Sequence, residues 1–243
     1  DASEDLVVAS ADGASLRRLT NDRYRDREPA WGPDSDHIYF FSDRTGRYEV
    51  WRIRRDGSEL QQISLTEGDN LADPHPSPDG KLLAVNSGTL NLHTTQAFID
   101  LAGSFPQRTL LPMPPIDATH AFVIVAWSPD GKKIVGTSTM TTVIEQGVVV
   151  YSVDTKTYDL IIADHGNPIG WFPDNRRVLY SEGNKLLVVD TLTKKSQTII
   201  ENVGDGVRRS TLSADGRSLV LVRADPQSDI WMVGAGETAS AKP

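Results

Sequence analysis

One turn signature recurs five times along this chain, and its spacing constrains the fold more than any other feature of the sequence. The copies are Gly32-Pro33-Asp34-Ser35, Ser77-Pro78-Asp79-Gly80, Ser128-Pro129-Asp130-Gly131, Phe172-Pro173-Asp174-Asn175 and Ser213-Ala214-Asp215-Gly216, and successive aspartates lie 45, 51, 44 and 41 residues apart. Proline presets φ at the first turn position, aspartate bonds its own following backbone, and Gly or Asn accepts the left-handed conformation. Each copy therefore predicts a tight hairpin corner. Trp31, Trp127 and Trp171 immediately precede the turn in three copies, with Pro76 and Leu212 there in the others. These bulky residues are expected to end an inner strand and to pack between neighbouring repeats.

After each corner comes a short run rich in β-branched or aromatic residues, at 37–41, 81–85, 133–136, 177–180 and 218–222. A second hairpin follows. Glu49-Val50-Trp51 leads to Asp56-Gly57, Asp229-Ile230-Trp231 holds the same place late in the chain, and Asp5-Leu6-Val7 leads to Asp12-Gly13 early in it. The fourth strand of a unit falls at 60–64, 108–111, 158–162 or 197–200, with 16–20 as the opening copy. No window of helical length carries a 3.6-residue apolar period, so the chain reads as all-β. Four short antiparallel strands every ~40–50 residues describe the radially repeated blade of a β-propeller.

The run from Pro29 to Asp34 with the hydrophobic strand after it, then Ser42-Asp43-Arg44-Thr45-Gly46, Glu49-Val50-Trp51, Asp56-Gly57 and Leu60, resembles the propeller repeat of TolB and its relatives. The copy at 28–66 is the closest to that pattern, those at 124 and 168 follow it less fully, and those at 73 and 209 are degenerate; together they cover nearly the whole chain. The resemblance implies a β-propeller of four-stranded antiparallel blades that serves as a protein- or peptide-interaction module. The same repeat also builds propellers attached to peptidases, polysaccharide lyases and bacterial signalling proteins, so fold alone does not fix function.

With strands lettered a to d from the axis outwards, residues 1–22 supply c and d of an incomplete blade. Complete blades follow at about 28–66, 73–117, 124–166 and 168–203, then a, b and c of a last blade at 209–233 and a flexible tail at 234–243. These twenty-one strands are three too few for six blades and one too many for five. The expectation is a single propeller domain over 1–243, six-bladed with its first strands upstream of Asp1; five blades is the alternative. The abrupt start at Asp1 suits a mature or trimmed terminus.

Charge narrows the partners. Lys and Arg number 25 against 33 Asp and Glu, a net charge of −8. No basic block offsets that balance, which disfavours nucleic acid and anionic membrane surfaces. Cysteine is absent, which removes disulfides, thiolate nucleophiles and Cys-ligated metals, and is compatible with a periplasmic or otherwise extracytoplasmic setting. The longest apolar runs, such as 148–151 and 185–189, are far shorter than a membrane span.

Corner aspartates read as turn chemistry, and Asp43-Arg44 and residues 22–28 as charge-rich solvated loops. What remains is the set of residues at the head of each inner strand, which a propeller turns toward its axial channel. The repeat alignment places Glu28, Asp73, Ile124, Pro168 and Arg209 there, with Arg27, His75, His120, Asn167 and Arg208 beside them. Glu28, Asp73, His75, His120, Asn167, Arg208 and Arg209 form the predicted binding mouth, for a peptide segment or small polar ligand; a purely structural charge network is the competing reading. No Gly-x-Ser-x-Gly elbow, His-Glu-x-x-His pair or Gly-rich phosphate loop is present, so no catalytic residue and no cofactor is predicted. Two minor alternatives are a divalent ion on His75, His120 and Asp73 and a channel calcium. The expected protein is a monomeric, non-enzymatic binding module; alternatives are the propeller of a hydrolase or lyase and the sensor domain of a signalling protein.

Overall fold

The computed structural model describes residues 3–66, 70–87, 95–105, 110–140, 147–163, 165–204, 207–223 and 230–234. They form twenty-one strands in six antiparallel sheets, and the described residues contain no helix. The chain divides into two compact units, Asp1–Ile124 with Met140–Val143, and Val125–Thr139 with Ile144–Pro243.

In the first unit β1 (Val7–Ala9) pairs with β2 (Leu16–Arg18) as a two-stranded sheet. A four-stranded meander follows: β3 (Asp26–Trp31), β4 (His37–Ser42), β5 (Glu49–Arg54) and β6 (Gln61–Gln62). A second comprises β7 (Leu71–Pro76), β8 (Leu82–Ser87), β9 (Thr95–Asp100) and β10 (Leu110–Pro112). The second unit holds most of the sheet of β11 (His120–Trp127), β12 (Lys133–Met140), β13 (Val148–Ser152) and β14 (Thr157–Ile162). It also holds β15 (Asn167–Trp171), β16 (Arg177–Glu182), β17 (Lys185–Asp190) and β18 (Ser196–Ile200), and lastly β19 (Val207–Leu212), β20 (Ser218–Arg223) and β21 (Ile230–Gly234). In every sheet the strands lie side by side in chain order.

The corners show why the turn signature is so strict. Gly80, Gly131 and Gly216 each donate N–H to the residue three before, Ser77, Ser128 and Ser213, with φ between 68° and 70°. The aspartate in between accepts the serine hydroxyl and a following backbone N–H, as in Ser77 Oγ to Asp79 Oδ1 at 2.7 Å and Lys81 N to the same oxygen at 3.1 Å. Corners of successive sheets also touch. A Cβ on Gly216 would stand 2.9 Å from Pro173 Cδ, and Asp130 N donates to Asn175 Oδ1 at 2.8 Å. The corner aspartates are thus occupied by local bonds, as their sequence context predicts.

The β3–β6 meander is closed by a polar clasp from its third strand to the end of its fourth. Glu49, almost wholly buried, accepts from Ser64 Oγ at 2.5 Å, Thr66 N at 2.7 Å and Thr66 Oγ1 at 2.8 Å, while Val50 N donates to Ser64 Oγ. Leu6 N donates to Thr20 Oγ1 in the equivalent place of the first sheet.

Apolar clusters fill the spaces between sheets. Leu6, Ile38, Phe40 and Ile53 join the first two sheets, and Tyr39, Val50, Ile63, Leu71, Leu83, Val85, Ala97 and Ile99 join the second and third. In the second unit Trp171, Val178 and Tyr180 pack on Val135, Val148 and Val150, and Leu179 and Leu186 pack on Leu219 and Leu221. Strand alternation sends neighbouring residues such as Val178 and Leu179 to opposite faces, so one sheet serves two interfaces.

Two expectations require correction. Trp171 packs between sheets, but Trp31 is 50% exposed. The charged stretch around Asp26 and Arg44 is not a solvated loop either. Arg44 reaches Asp22 and Asp26 at 2.5 Å each, lies 5.1 Å from the Tyr24 ring and 5.9 Å from that of Trp51, and leaves Asp26 with no exposed side chain. The pairing sets a guanidinium against a buried carboxylate. The tail at 234–243 lies outside the described residues except for Gly234, which ends β21.

Candidate functional site

The first strands of four sheets, β3, β7, β15 and β19, carry a register irregularity that the sequence does not announce. In β3, Arg27 pairs with Phe41 and Ala30 with Tyr39, so Glu28 and Pro29 together face Phe40. In β7, Asp73 and Pro74 together face Val85. β15 and β19 shift by one residue at Ile169 and Arg208. A bulge bends its strand and re-aims the side chains on it.

Glu28 and Asp73 occupy the same repeat position and adopt the same unusual backbone, with φ of 51° and 47°. Each is a non-glycine residue in the left-handed region followed by proline, a conformation that costs of order 1 kcal/mol and survives only where neighbours enforce it. Both side chains are half-buried.

A buried asparagine ties two of these positions together. Asn86 Nδ2 lies 3.4 Å from Asp73 Oδ2 and donates to Ile124 O at 3.3 Å, while Ile124 N donates to Asn86 Oδ1 at 3.1 Å. Asp73 and Ile124, 51 residues apart and matched by the repeat, thus meet through one amide. Asn86 stands where the preceding sheet has Phe41, and the only sign of it in the sequence is a polar residue ending the apolar run Leu82-Leu83-Ala84-Val85.

The other predicted residues take varied positions. His75 is half-buried in β7 opposite Ala84. His120 heads β11, with Nδ1 2.8 Å from Asp117 Oδ2. The backbone N–H and hydroxyl of Thr119, with a smaller contribution from His120, hold the Asp117 carboxyl well below the ordinary range. Asn167 heads β15 opposite Ser181 and is exposed. Arg208 and Arg209 lie in β19, and their side chains fall outside those described. Ile124 and Pro168 are buried and offer no hydrated surface, and Arg27 is paired with Glu4 in a two-bonded contact 5.9 Å from the Tyr48 ring. Among the described residues no three His, Asp or Glu side chains are grouped to hold a metal ion, and no helix is long and apolar enough to cross a membrane.

Residues 1–108 match the family model of the TolB beta propeller domain. A stretch of 77 residues is 40% identical to an uncharacterized protein of Agrobacterium fabrum, covering 31% of this chain and 26% of that protein. The crystal structure of TolB from Acinetobacter baumannii aligns with a TM-score of 0.70 at 19% identity, over 95% of this chain and 57% of that one. A structure assigned to TolB from Agrobacterium tumefaciens aligns with a TM-score of 0.73 at 14% identity, over 95% of this chain and 84% of that one. The chain therefore spans little more than half of the Acinetobacter chain, and its match to the curated relative covers about a quarter of that protein. At these identities the structural likeness gives the fold, a β-propeller of four-stranded antiparallel blades.

Proposed function

We propose, from a chain whose repeat is of the TolB β-propeller type, that this protein is a non-enzymatic interaction module that takes a peptide segment at the heads of its inner strands. The observation that carries this reading is the bulge pair at Glu28 and Asp73. Two half-buried carboxylates in matched, strained backbone positions, one beside a buried Asn86 amide, form a preset polar surface that needs no reordering on binding. In the first unit His75 and His120 stand on the inner strands β7 and β11 and would add imidazoles to that surface; in the second, Asn167, Arg208 and Arg209 stand on β15 and β19 and would form a strand-head surface of their own. Carboxylates at such a place favour basic or hydrogen-bond-donating groups on the ligand and give binding a salt dependence. The module acts as a monomer outside the cytoplasm, where a chain without cysteine has no thiol to be oxidised.

The test is selection of peptides from a displayed library on the immobilised protein, followed by affinity measurement against Glu28→Lys and Asp73→Lys. Each charge reversal is expected to weaken selected peptides about tenfold or more while leaving the melting temperature nearly unchanged. Equal affinity of both variants for every selected peptide would refute the site.

A further inference from the structure

The β3–β6 sheet carries a polar row where the next sheet is apolar. Asp26 stands opposite Ser42 and Ser42 opposite Glu49, so three polar side chains share one face across β3, β4 and β5. In the next sheet the pair in the same register is Leu71 and Ser87, and Leu71 is buried in an apolar cluster. Phe40 and Trp51, opposite one another, form the adjoining row on the polar face and pack with Leu6 and Ile53.

Arg44 reaches over both rows. Its Nη2 donates to Asp26 Oδ2 and its Nη1 to Asp22 Oδ2, each at 2.5 Å, and its Cζ lies 5.9 Å from the Trp51 ring. The Glu49 oxygens are taken up by Ser64 and Thr66. The rest of the row is not served in this way. Among the described residues, Asp26 Oδ1, Ser42 Oγ, Arg44 Nε and Trp51 Nε1 are all buried and have no hydrogen-bond partner. The Asp26 and Arg44 side chains are 0% and 9% exposed, and Ser42 is wholly buried. Asp26 Oδ1 adjoins the oxygen that Arg44 holds, and Arg44 Nε belongs to the same planar group as the nitrogen that holds it. Acceptor and donor are therefore neighbours, with Ser42 beside the carboxylate and the indole beside the guanidinium. Native interiors rarely keep one unserved polar group, and four together call for a shared partner.

We propose that these four atoms are the binding site of one internal water molecule. The balance of donors and acceptors selects that ligand. Water accepts two hydrogen bonds and donates two: Arg44 Nε–H and Trp51 Nε1–H supply the first pair, and Asp26 Oδ1 and Ser42 Oγ receive the second. A metal or ammonium ion has no use for the two N–H donors, and an anion would meet the Asp26 carboxylate. A group added from outside cannot serve either, because the four atoms are already closed off from the surface. The water joins the Asp22–Arg44–Asp26 cluster to β4 and β5, so that three strands and the β4–β5 turn share one polar centre. None of the residues of the proposed peptide site belongs to it, so the two readings stand or fall separately.

The experiment uses the full chain, deuterated and nitrogen-15 labelled, and records water-selected rotating-frame Overhauser spectra at the assigned Trp51 Hε1 and Arg44 Hε signals. Both are expected to show a cross-peak to water with the sign of through-space contact, opposite to that of proton exchange. Ser42→Ala in the same chain gives a second reading, whose sign decides. Losing a hydroxyl bonded to an internal water lowers the melting temperature, by about 2–4 °C, whereas losing one buried without a partner raises it. Three results would each overturn the proposal. They are a water contact at only one of the two signals or at neither, a melting temperature unchanged or raised in Ser42→Ala, and a saturable shift of Trp51 Hε1 when ammonium or potassium replaces sodium at constant ionic strength. The last would name a cation as the occupant.

Discussion

Two tryptophans in the same local sequence meet opposite fates. Trp31 and Trp171 both end an inner strand and both precede a Pro-Asp corner, yet one is half exposed and the other buried. Trp171→Ala removes a large packed ring and is expected to cost about 3–5 kcal/mol, whereas Trp31→Ala is expected to cost under about 1 kcal/mol; urea denaturation of the two variants measures both. The difference is not legible in either residue's surroundings along the chain, because it depends on which strands the neighbouring sheet possesses. The corner aspartates, by contrast, were legible individually, since their bonds are local. Burial pulls the Asp34 carboxyl upward, but the N–H groups of His37 and Asp36 and the His37 imidazole outweigh it and hold the group at about 2. A pKa depressed below the unfolded value of 3.8 means stability that is complete above about pH 4 and is lost as pH falls toward 2. Asp34→Asn should therefore flatten the fall of melting temperature across that window, and an unchanged slope would count against the bond network.

At the scale of strands, the turn signature and β-branched runs locate the elements well. The strand expected at 177–180 runs Arg177–Glu182, and that at 197–200 runs Ser196–Ile200. What the pattern missed is where a strand departs from ideal pairing. The bulges at Glu28 and Asp73 leave no mark in hydrophobic alternation, and the paired positive φ values fall on residues that favour it weakly. Charge pattern misled in the stretch from Asp22 to Arg44, because spacing along the chain does not reveal that a guanidinium from one hairpin end folds over carboxylates at the start of the strand before it. Removing that guanidinium leaves the Asp26 carboxylate buried without compensation. Arg44→Ala is expected to cost about 3 kcal/mol or more, and Asp26→Asn in the same chain to restore part of the loss, as a double-mutant cycle in urea would show.

At the scale of the whole molecule, the described residues hold twenty-one strands, the number that turn spacing gives, because a repeat declares its own period. The candidate strand-head site was less legible: strand heads are set by bulges and by contacts such as Asn86 to Ile124, which join residues 38 positions apart. Two expectations concern the intact protein. On the proposed reading of a module without a structural metal, chelation by EDTA or addition of calcium should leave the melting temperature within about 1 °C, since only a ligand that binds the native state shifts it; a larger shift would reveal a bound ion. Generic ester, peptide and uronate polysaccharide substrates should show no turnover with or without manganese or zinc, and metal-dependent cleavage lost in His75→Ala or His120→Ala would overturn the non-enzymatic reading. The meander order of the sheets has a mechanical consequence. Tension along the chain meets hydrogen bonds that run across the strands and open one after another, so each sheet unzips at low force instead of shearing at once. A repeat of 45 residues would pay out roughly 15 nm of slack at ~3.4 Å per residue. Stretched between two anchors, such a chain behaves as an extensible tether that gives way in quanta and re-forms when the load is released.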